Sequence, residues 1–376
     1  MIYQSYERPP LLKLSIYSLQ VVAMSTYAIV WGLAFIGLNI NLSREQLAIF
    51  VTITIFSIGL STLLQASVGH RIGLISGPNI VPAFTMLTAI ESGLPFDELF
   101  GGFIVGGIVV TVLGWLGFVH YLQRFFTPLV MGTLVMMVGL GTATIGVNFL
   151  ALLGPTFFVI SIALALAVGY ISYALSGFVS TIGVLLVVLL GYLIATVTGH
   201  LDWEFVGSFP LFTPPQGTIF GVAWPRLSIL LPAILAMVIS SMQAMAYILS
   251  SADVAEETVS EARIRPIMSV FGILETALPS FFSATPTVTY STNTGFLAAT
   301  RVSSRYPAIL AGIILMIIGS LGPVSGFLAA IPEPVAGAIL LGVAGPTIGI
   351  GAKLWRTGTP TFTNLHAFIV GFSLFL

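Results

Sequence analysis

The sequence predicts an all-α polytopic membrane protein assembled from two repeats of inverted topology. Three observations lead there. The 376 residues are 57% hydrophobic and 7% charged, with a mean hydropathy of +1.08, whereas soluble domains carry about 25% charged residues. Apolar runs of membrane-spanning length, about 20 residues, recur along the whole chain. Finally, Val130, Gly132, Val138, Thr142, Ile145 and Gly146 recur 205 residues later as Val335, Gly337, Val343, Thr347, Ile350 and Gly351. Chance identity is the competing explanation, because small and β-branched residues are common in membrane helices.

Composition also excludes classes. A net charge of -1 offers no basic field for nucleic acid. With no cysteine there is no disulfide, thiolate metal site or cysteine nucleophile. The polar N-terminus, Met1 to Leu12, lacks a cleavable signal pattern, and the first apolar run is long enough to be a true span.

The expected spans are 12–38, 46–66, 76–91, 98–119, 126–148, 157–175, 178–199, 228–252, 264–284, 291–301, 306–331, 333–353 and 364–376. The third and tenth are short, and begin with Ser76-Gly77-Pro78-Asn79 and Ser291-Thr292-Asn293-Thr294-Gly295. Paired short, Gly- or Pro-interrupted segments in two halves point to a transporter's binding site. With the N-terminus in the cytoplasm, Arg8, Lys13, Arg71, Arg124, Arg263, Arg265, Arg301, Arg305, Lys353 and Arg356 fall inside. Only Arg44 and Arg226 fall outside, which accounts for all 12 basic residues. The positive-inside rule selects this orientation, and the plasma membrane is the expected location.

The first copy of the repeat then enters its span from inside and the second from outside, so the halves are inverted. Shifted by the same 205 residues, span 178–199 falls beyond Leu376. A fourteenth helix beyond this point is therefore expected. The polar connection His200 to Arg226 lies outside, and the charged one from Asp253 to Arg265 reads as a solvated cytoplasmic loop.

Catalysis is not expected. His70, His120 and His200 fall in loops, His366 lies near the end of the chain, and no cluster has metal-ligand spacing. No cofactor is implied. Glu275 is the one carboxylate placed well inside the bilayer, where ionisable groups mark ion or substrate paths. It is either a proton or cation site or a residue satisfied by polar neighbours. Gln243 is the other large polar group at depth, accompanied by Ser240, Ser241 and Tyr247. Gln243 and Tyr247 are four apart and share one helix face; the amide is either inter-helix glue or a ligand contact. The two short helices should present free N–H groups to a ligand near the midplane. The runs Thr287-Val288-Thr289-Tyr290 and Ile80-Val81 have strand propensity, so two extended segments are expected to cross and pair there.

The stretch Asn293-x-Gly295-x4-Thr300-Arg301, preceded by Pro286-x2-Thr289-Tyr290, resembles the signature of the nucleobase–ascorbate transporters, the nucleobase:cation symporters that include uracil and xanthine permeases. Further landmarks agree: Arg8-Pro9-Pro10-Leu11-Leu12, Ser18-Leu19-Gln20, Thr62-Leu63-Leu64-Gln65, Gly132-Thr133-x2-Met136-x2-Gly139-Leu140 and Ile331-Pro332-x-Pro334-Val335-x-Gly337. The resemblance implies a seven-plus-seven inverted repeat, with a core domain moving against a gate domain, usually as a homodimer. The core would be residues 1–122 and 228–331 and the gate 123–200 and 332–376, with 201–227 as an extracellular loop. It implies a small planar nucleobase bound by Gln243, Tyr247, Tyr290, Ser291, Thr292 and Asn293 and by the backbone near Asn79 and Ile80, with H+ or Na+ as coupling ion.

This chain departs from that pattern at the titratable positions. Uracil permeases have glutamate at the Gln243 position and Glu or Gln at the Thr292 position, and proton-coupled members often have Asp or His where Tyr247 stands. Asn79-Ile80 replaces a Phe-type wedge. Gln243 cannot carry a proton, so either Glu275 takes over coupling, or transport is uncoupled, or the substrate differs. The alternatives are a related carrier for an organic or inorganic anion, and a non-transporting receptor of the same fold.

Overall fold

The structure is a computed structural model, and it describes residues 1–38, 40, 42–118, 127–150, 152–173, 183–215, 217–290, 292–358 and 363–375. Helix α1 (Leu11–Gly32) continues into a π-helical turn, Leu33–Gly37. Helix α2 (Arg44–Ser67) opens on a capping box in which Ser43 and Gln46 satisfy each other's backbone. Strand β1 (Ser76–Pro78), α3 (Ile80–Glu91) and α4 (Phe96–Trp115) follow. Then come α5 (Pro128–Leu150), α6 (Pro155–Tyr173), α7 (Gly183–Val197) and the short α8 (Trp203–Gly207). The second half has α9 (Leu227–Val254), α10 (Glu261–Ser269), a π-helical stretch Val270–Ala277, α11 (Leu278–Phe281), β2 (Thr287–Thr289) and α12 (Thr292–Thr300). It ends with α13 (Arg305–Gly319), α14 (Gly322–Ala329), α15 (Glu333–Gly358) and α16 (Asn364–Phe375).

Among the described residues, six helices are long and apolar enough to cross a bilayer alone. The expected span 306–331 is instead a broken pair, α13 and α14, bent by 79°. The cause lies in Gly322-Pro323, which cannot continue a helix from the preceding turn. The two half-helices are short as expected: α3 has 12 residues and α12 has 9, about 18 and 14 Å, against roughly 30 Å of hydrocarbon. The antiparallel pair β1–β2 joins their starts, in register Ser76 with Thr289, Gly77 with Val288 and Pro78 with Thr287. The first extended segment is therefore Ser76–Pro78 and not Ile80-Val81, which form the first turn of α3. The physical reason is Asn79: its side-chain oxygen accepts from the Val81 N–H at 3.2 Å and caps the helix.

The chain divides into two compact units, Met1–Phe118 with Thr196–Ile331, and Val119–Ala195 with Pro332–Leu376. In the first unit, α2 packs on α13 where Gly59 faces Gly312, and α4 packs on the π-helical stretch where Gly107 faces Gly272. A β-carbon on Gly59 would lie 2.6 Å from the Gly312 carbonyl oxygen, so the glycines set the approach. The connection between α7 and α9 is fastened to this unit by Arg44 on Asp202 at 2.8 Å and by Arg226 on Glu98 at 2.6 Å. Its Phe220 ring stacks on Phe96 at 4.7 Å. The N-terminal segment runs beside residues 301–305, with Ile2 donating to the Arg301 carbonyl at 2.7 Å and Ser303 to that of Tyr3 at 3.0 Å.

In the second unit, α5 and α15 run antiparallel, and the repeat positions exchange contacts. A β-carbon on Gly132 would meet the Gly351 carbonyl oxygen at 2.7 Å, and one on Gly146 would meet that of Gly337 at 3.0 Å. Gly132 and Gly337 are repeat equivalents, as are Gly146 and Gly351, so each contact is the image of the other under a two-fold operation. That reciprocity is the mark of a self-complementary contact and gives the recurring residues a structural meaning.

Candidate functional site

The crossing of β1 and β2 organises the first unit. The Asn79 N–H donates to the Pro286 carbonyl at 2.6 Å and extends the strand pairing by one bond. Tyr290 closes the other side: its hydroxyl donates to the Pro78 carbonyl at 2.9 Å. Its ring lies on Gly77, where a β-carbon would sit 2.6 Å from ring carbon Cζ; only glycine fits under it. Ile80, in the first turn of α3, is half-buried.

Asn293 is fully buried, and its amide is occupied by backbone. Its Oδ1 accepts from the Ile75 N–H at 2.8 Å, and its Nδ2 donates to the carbonyls of Ile75 at 2.9 Å and Tyr290 at 2.8 Å. The side chain thus pairs with the residue before β1 as a strand would. Ser291 lies outside the described residues; Thr292 begins α12, and its side chain lies outside them too.

Helix α9 passes both half-helices. Ser240 Oγ lies 3.3 Å from Asn79 Oδ1, at the start of α3, and Ser251 Oγ lies 3.3 Å from Thr294 Oγ1, in the first turn of α12. The separation of eleven residues is a rise of about 16 Å. Gln243 and Tyr247 fall between, on the same stripe, and Gln243 Nε2 donates to the Tyr247 hydroxyl at 3.0 Å. At about 100° per residue, positions 240, 243, 247 and 251 stay within one face. Ser240, Gln243, Tyr247 and Ser251 therefore line one side of the half-helix starts.

Buried polar atoms without a protein partner are rare and call for an explanation. One lies on this stripe, Gln243 Oε1, an acceptor, and another at the start of α3, Asn79 Nδ2, a donor. The Asn79 assignment is firm, because its oxygen is already bound to the Val81 N–H. On β2, Thr289 Oγ1 is also buried without a partner.

Glu275 sits on the π-helical stretch, 0% exposed. Its Oε1 accepts from Ser76 Oγ at 2.7 Å and its Oε2 from Gln65 Nε2 at 2.8 Å. Thr287 Oγ1 donates to its carbonyl at 3.3 Å and lies 2.6 Å from Ser61 Oγ. Sequence reasoning missed Ser76, Gln65 and Thr289 as members of this group. Gln65 carried the same signal as Gln243, a large amide in an apolar helix. His70, expected to be an ordinary loop residue, is in a loop but fully buried; the loop folds in so that the His70 carbonyl accepts from Arg263 Nη1 at 3.1 Å.

A family model described as a permease family, for xanthine and uracil permeases, matches residues 12–376. The chain belongs to this permease family. The uric acid transporter UacT of Escherichia coli (strain K12) is 26% identical over 375 residues, covering 96% of this chain and 77% of that protein. The uric acid permease PucJ of Bacillus subtilis (strain 168) is 27% identical, covering 90% and 78%, and the xanthine permease XanP of Escherichia coli (strain K12) is 25% identical, covering 94% and 81%. Among solved structures, the transmembrane domain of the cyanobacterial bicarbonate transporter BicA superposes with a TM-score of 0.65 at 14% identity, covering 97% of this chain and 94% of that one. SLC26A9 superposes with a TM-score of 0.62 at 15% identity, covering 93% and 60%. The permease is thus an integral membrane transporter with the inverted-repeat fold.

Proposed function

We propose that this permease carries a nucleobase of the xanthine or uric acid kind, or a similar planar lactam such as uracil, through a site on its first unit. The observation that carries this reading is a pair of unpartnered buried atoms, one at the start of α3 and one on α9. A donor at Asn79 Nδ2 and an acceptor at Gln243 Oε1 complement a ring edge that offers a carbonyl beside an N–H. The half-helix starts add backbone N–H groups, and the Tyr290 and Tyr247 rings supply flat apolar surface for a planar ligand. The names of UacT, PucJ and XanP point to the same chemistry. Asn293 serves this site by holding the strands.

The transport motion of core against gate, elevator-like or rocking, belongs to this proposal. So do a cytoplasmic N-terminus, residence in the plasma membrane and assembly as a homodimer. The anion reading has one observation in its favour, the fold shared with a bicarbonate transporter. It predicts a positive group to balance the charge; the α9 stripe supplies amides and hydroxyls instead.

Counterflow of radiolabelled xanthine and urate in proteoliposomes tests the proposal, with bicarbonate and sulfate as competitors. The expected result is exchange of a purine, insensitive to both anions, and its loss in Gln243→Ala with the protein still inserted. Losing one buried hydrogen bond to ligand costs about tenfold or more in affinity. Wild-type exchange in Gln243→Ala would reject the site, and competition by bicarbonate would favour the anion carrier.

A further inference from the structure

At the β1–β2 pair lies a second polar cluster, built on Glu275, Gln65, Ser76 and Thr289. We propose that Glu275 is the proton-binding site of the transport cycle, and that Ser76 and Thr289 pass its occupancy to the strand pair that holds the ligand site. This rests on the nucleobase-transport reading and names the coupling ion and its residue.

The hydrogen-bond inventory dictates the relay. In the ionised state both carboxylate oxygens accept, from Ser76 at 2.7 Å and from Gln65 at 2.8 Å. Gln65 Nε2 also lies 3.4 Å from the Ile267 carbonyl, so the amide is held with its NH2 toward two acceptors. An amide nitrogen has no lone pair to offer. A proton arriving on Glu275 therefore resides on Oε1, and the new carboxyl O–H donates to Ser76 Oγ. The bond from Ser76 to Glu275 breaks, and the hydroxyl hydrogen of Ser76 must turn elsewhere. Thr289 stands directly opposite Ser76 in the strand register. Directly opposed residues in an antiparallel pair project to one face with β-carbons about 5 Å apart. Thr289 Oγ1 is buried and has no partner, and it receives the turned hydrogen. Charge balance is simple: one carboxylate becomes one neutral acid, and no other group ionises.

The geometry favours a proton over a metal ion. The NH2 of Gln65 sits on one carboxylate oxygen and repels a cation, whereas protonation needs no extra room. Nothing charged competes nearby. The elements packed on the π-helical stretch, α2, α4, β1 and β2, present Ser61, Gln65, Thr111, Ser76 and Thr287 toward it. Their acids Glu45, Asp97 and Glu98 lie in the first turns of α2 and α4. On α10, Arg263 is engaged by the His70 carbonyl and Arg265 lies over the Trp115 ring.

The test uses the full chain in proteoliposomes with labelled xanthine and urate. Uptake is measured under an inward proton gradient, under an inward sodium gradient and as counterflow. The expected wild-type result is stimulation by the proton gradient alone. In Glu275→Gln the ratio of gradient-driven uptake to counterflow should fall to that of the no-gradient control. Two further variants move the pH midpoint of uptake in opposite directions, which a merely structural role would not do. Gln65→Leu removes a donor to the ionised form and raises the midpoint, and Thr289→Val removes the acceptor of the protonated form and lowers it, each by about one pH unit. Stimulation by sodium, a ratio unchanged in Glu275→Gln, or shifts of the same sign would overturn the proposal. Counterflow without gradient stimulation would overturn this proposal alone; no counterflow of either purine would overturn the transport reading beneath it.

Discussion

Two asparagines follow the two crossing strands, both fully buried, and they do different work. Asn79, just after β1, uses its oxygen to cap α3 and leaves its NH2 without a partner. Asn293, the fourth residue after β2, uses its amide on the Ile75 and Tyr290 backbone. One strand end keeps an unfilled donor; the other is closed by a side chain acting as an extra piece of strand. The comparison teaches that a polar residue in a membrane core is read by its unfilled valences, not by its presence.

The largest effect that would break this comparison is at Asn293. Asn293→Ala strands the Ile75 N–H in a dry interior and leaves the Ile75 carbonyl only the Tyr290 N–H at 3.2 Å. Each buried group left unpaired costs about 1–3 kcal/mol, so the loss is on the order of 3 kcal/mol. Melting of the detergent-solubilised protein should drop by several degrees, and uptake should vanish with it. A variant as stable as the wild type would show that Asn293 faces the ligand instead.

A smaller change sharpens the other half. Asn79→Ser keeps a good helix cap and removes only the free NH2. Stability should stay within a few tenths of a kcal/mol, while the half-saturating purine concentration rises about tenfold, the worth of one hydrogen bond. Equal transport by both proteins would place the donor elsewhere.

Much of this arrangement was legible in the residues. The half-helices follow from Ser76-Gly77-Pro78-Asn79 and Thr292-Asn293-Thr294-Gly295, because such groups break or cap helices wherever they occur. The crossing strand Thr287–Thr289 follows from three consecutive β-branched residues. Ile80-Val81 misled for the same reason: β propensity is a weak local preference, and a capping side chain one residue earlier overrides it. The break between α13 and α14 was readable from Gly322-Pro323. The π-helical stretch at Val270–Ala277 was not; it lies where Gly272 packs closely on Gly107, a tertiary contact that local sequence does not show. Nor was the job of Asn293, since a sequence names donors and acceptors without their partners.

The two approaches to the crossing also differ in charge, and this yields the mildest prediction. The segment before β2, residues 282–286, holds no titratable side chain. The loop before β1 holds His70. Burial, and secondarily the Arg263 guanidinium, push its imidazole from the ordinary 6.5 down to about 3. Its Nδ1 accepts from the Ile72 N–H at 3.1 Å, so the neutral ring carries its proton on Nε2. Above the ordinary value both folded and unfolded states are neutral, and His70 contributes nothing. As pH falls below it, the unfolded chain takes up a proton that the fold refuses, so stability declines, by at most about 1.4 kcal/mol per pH unit, until the folded value is reached. Melting curves at about pH 7 and about pH 5 should therefore separate in the wild type and draw together in His70→Gln. Because the second approach has no such group, an equal decline in both proteins would mean that acid acts elsewhere than at the β1 side of the crossing.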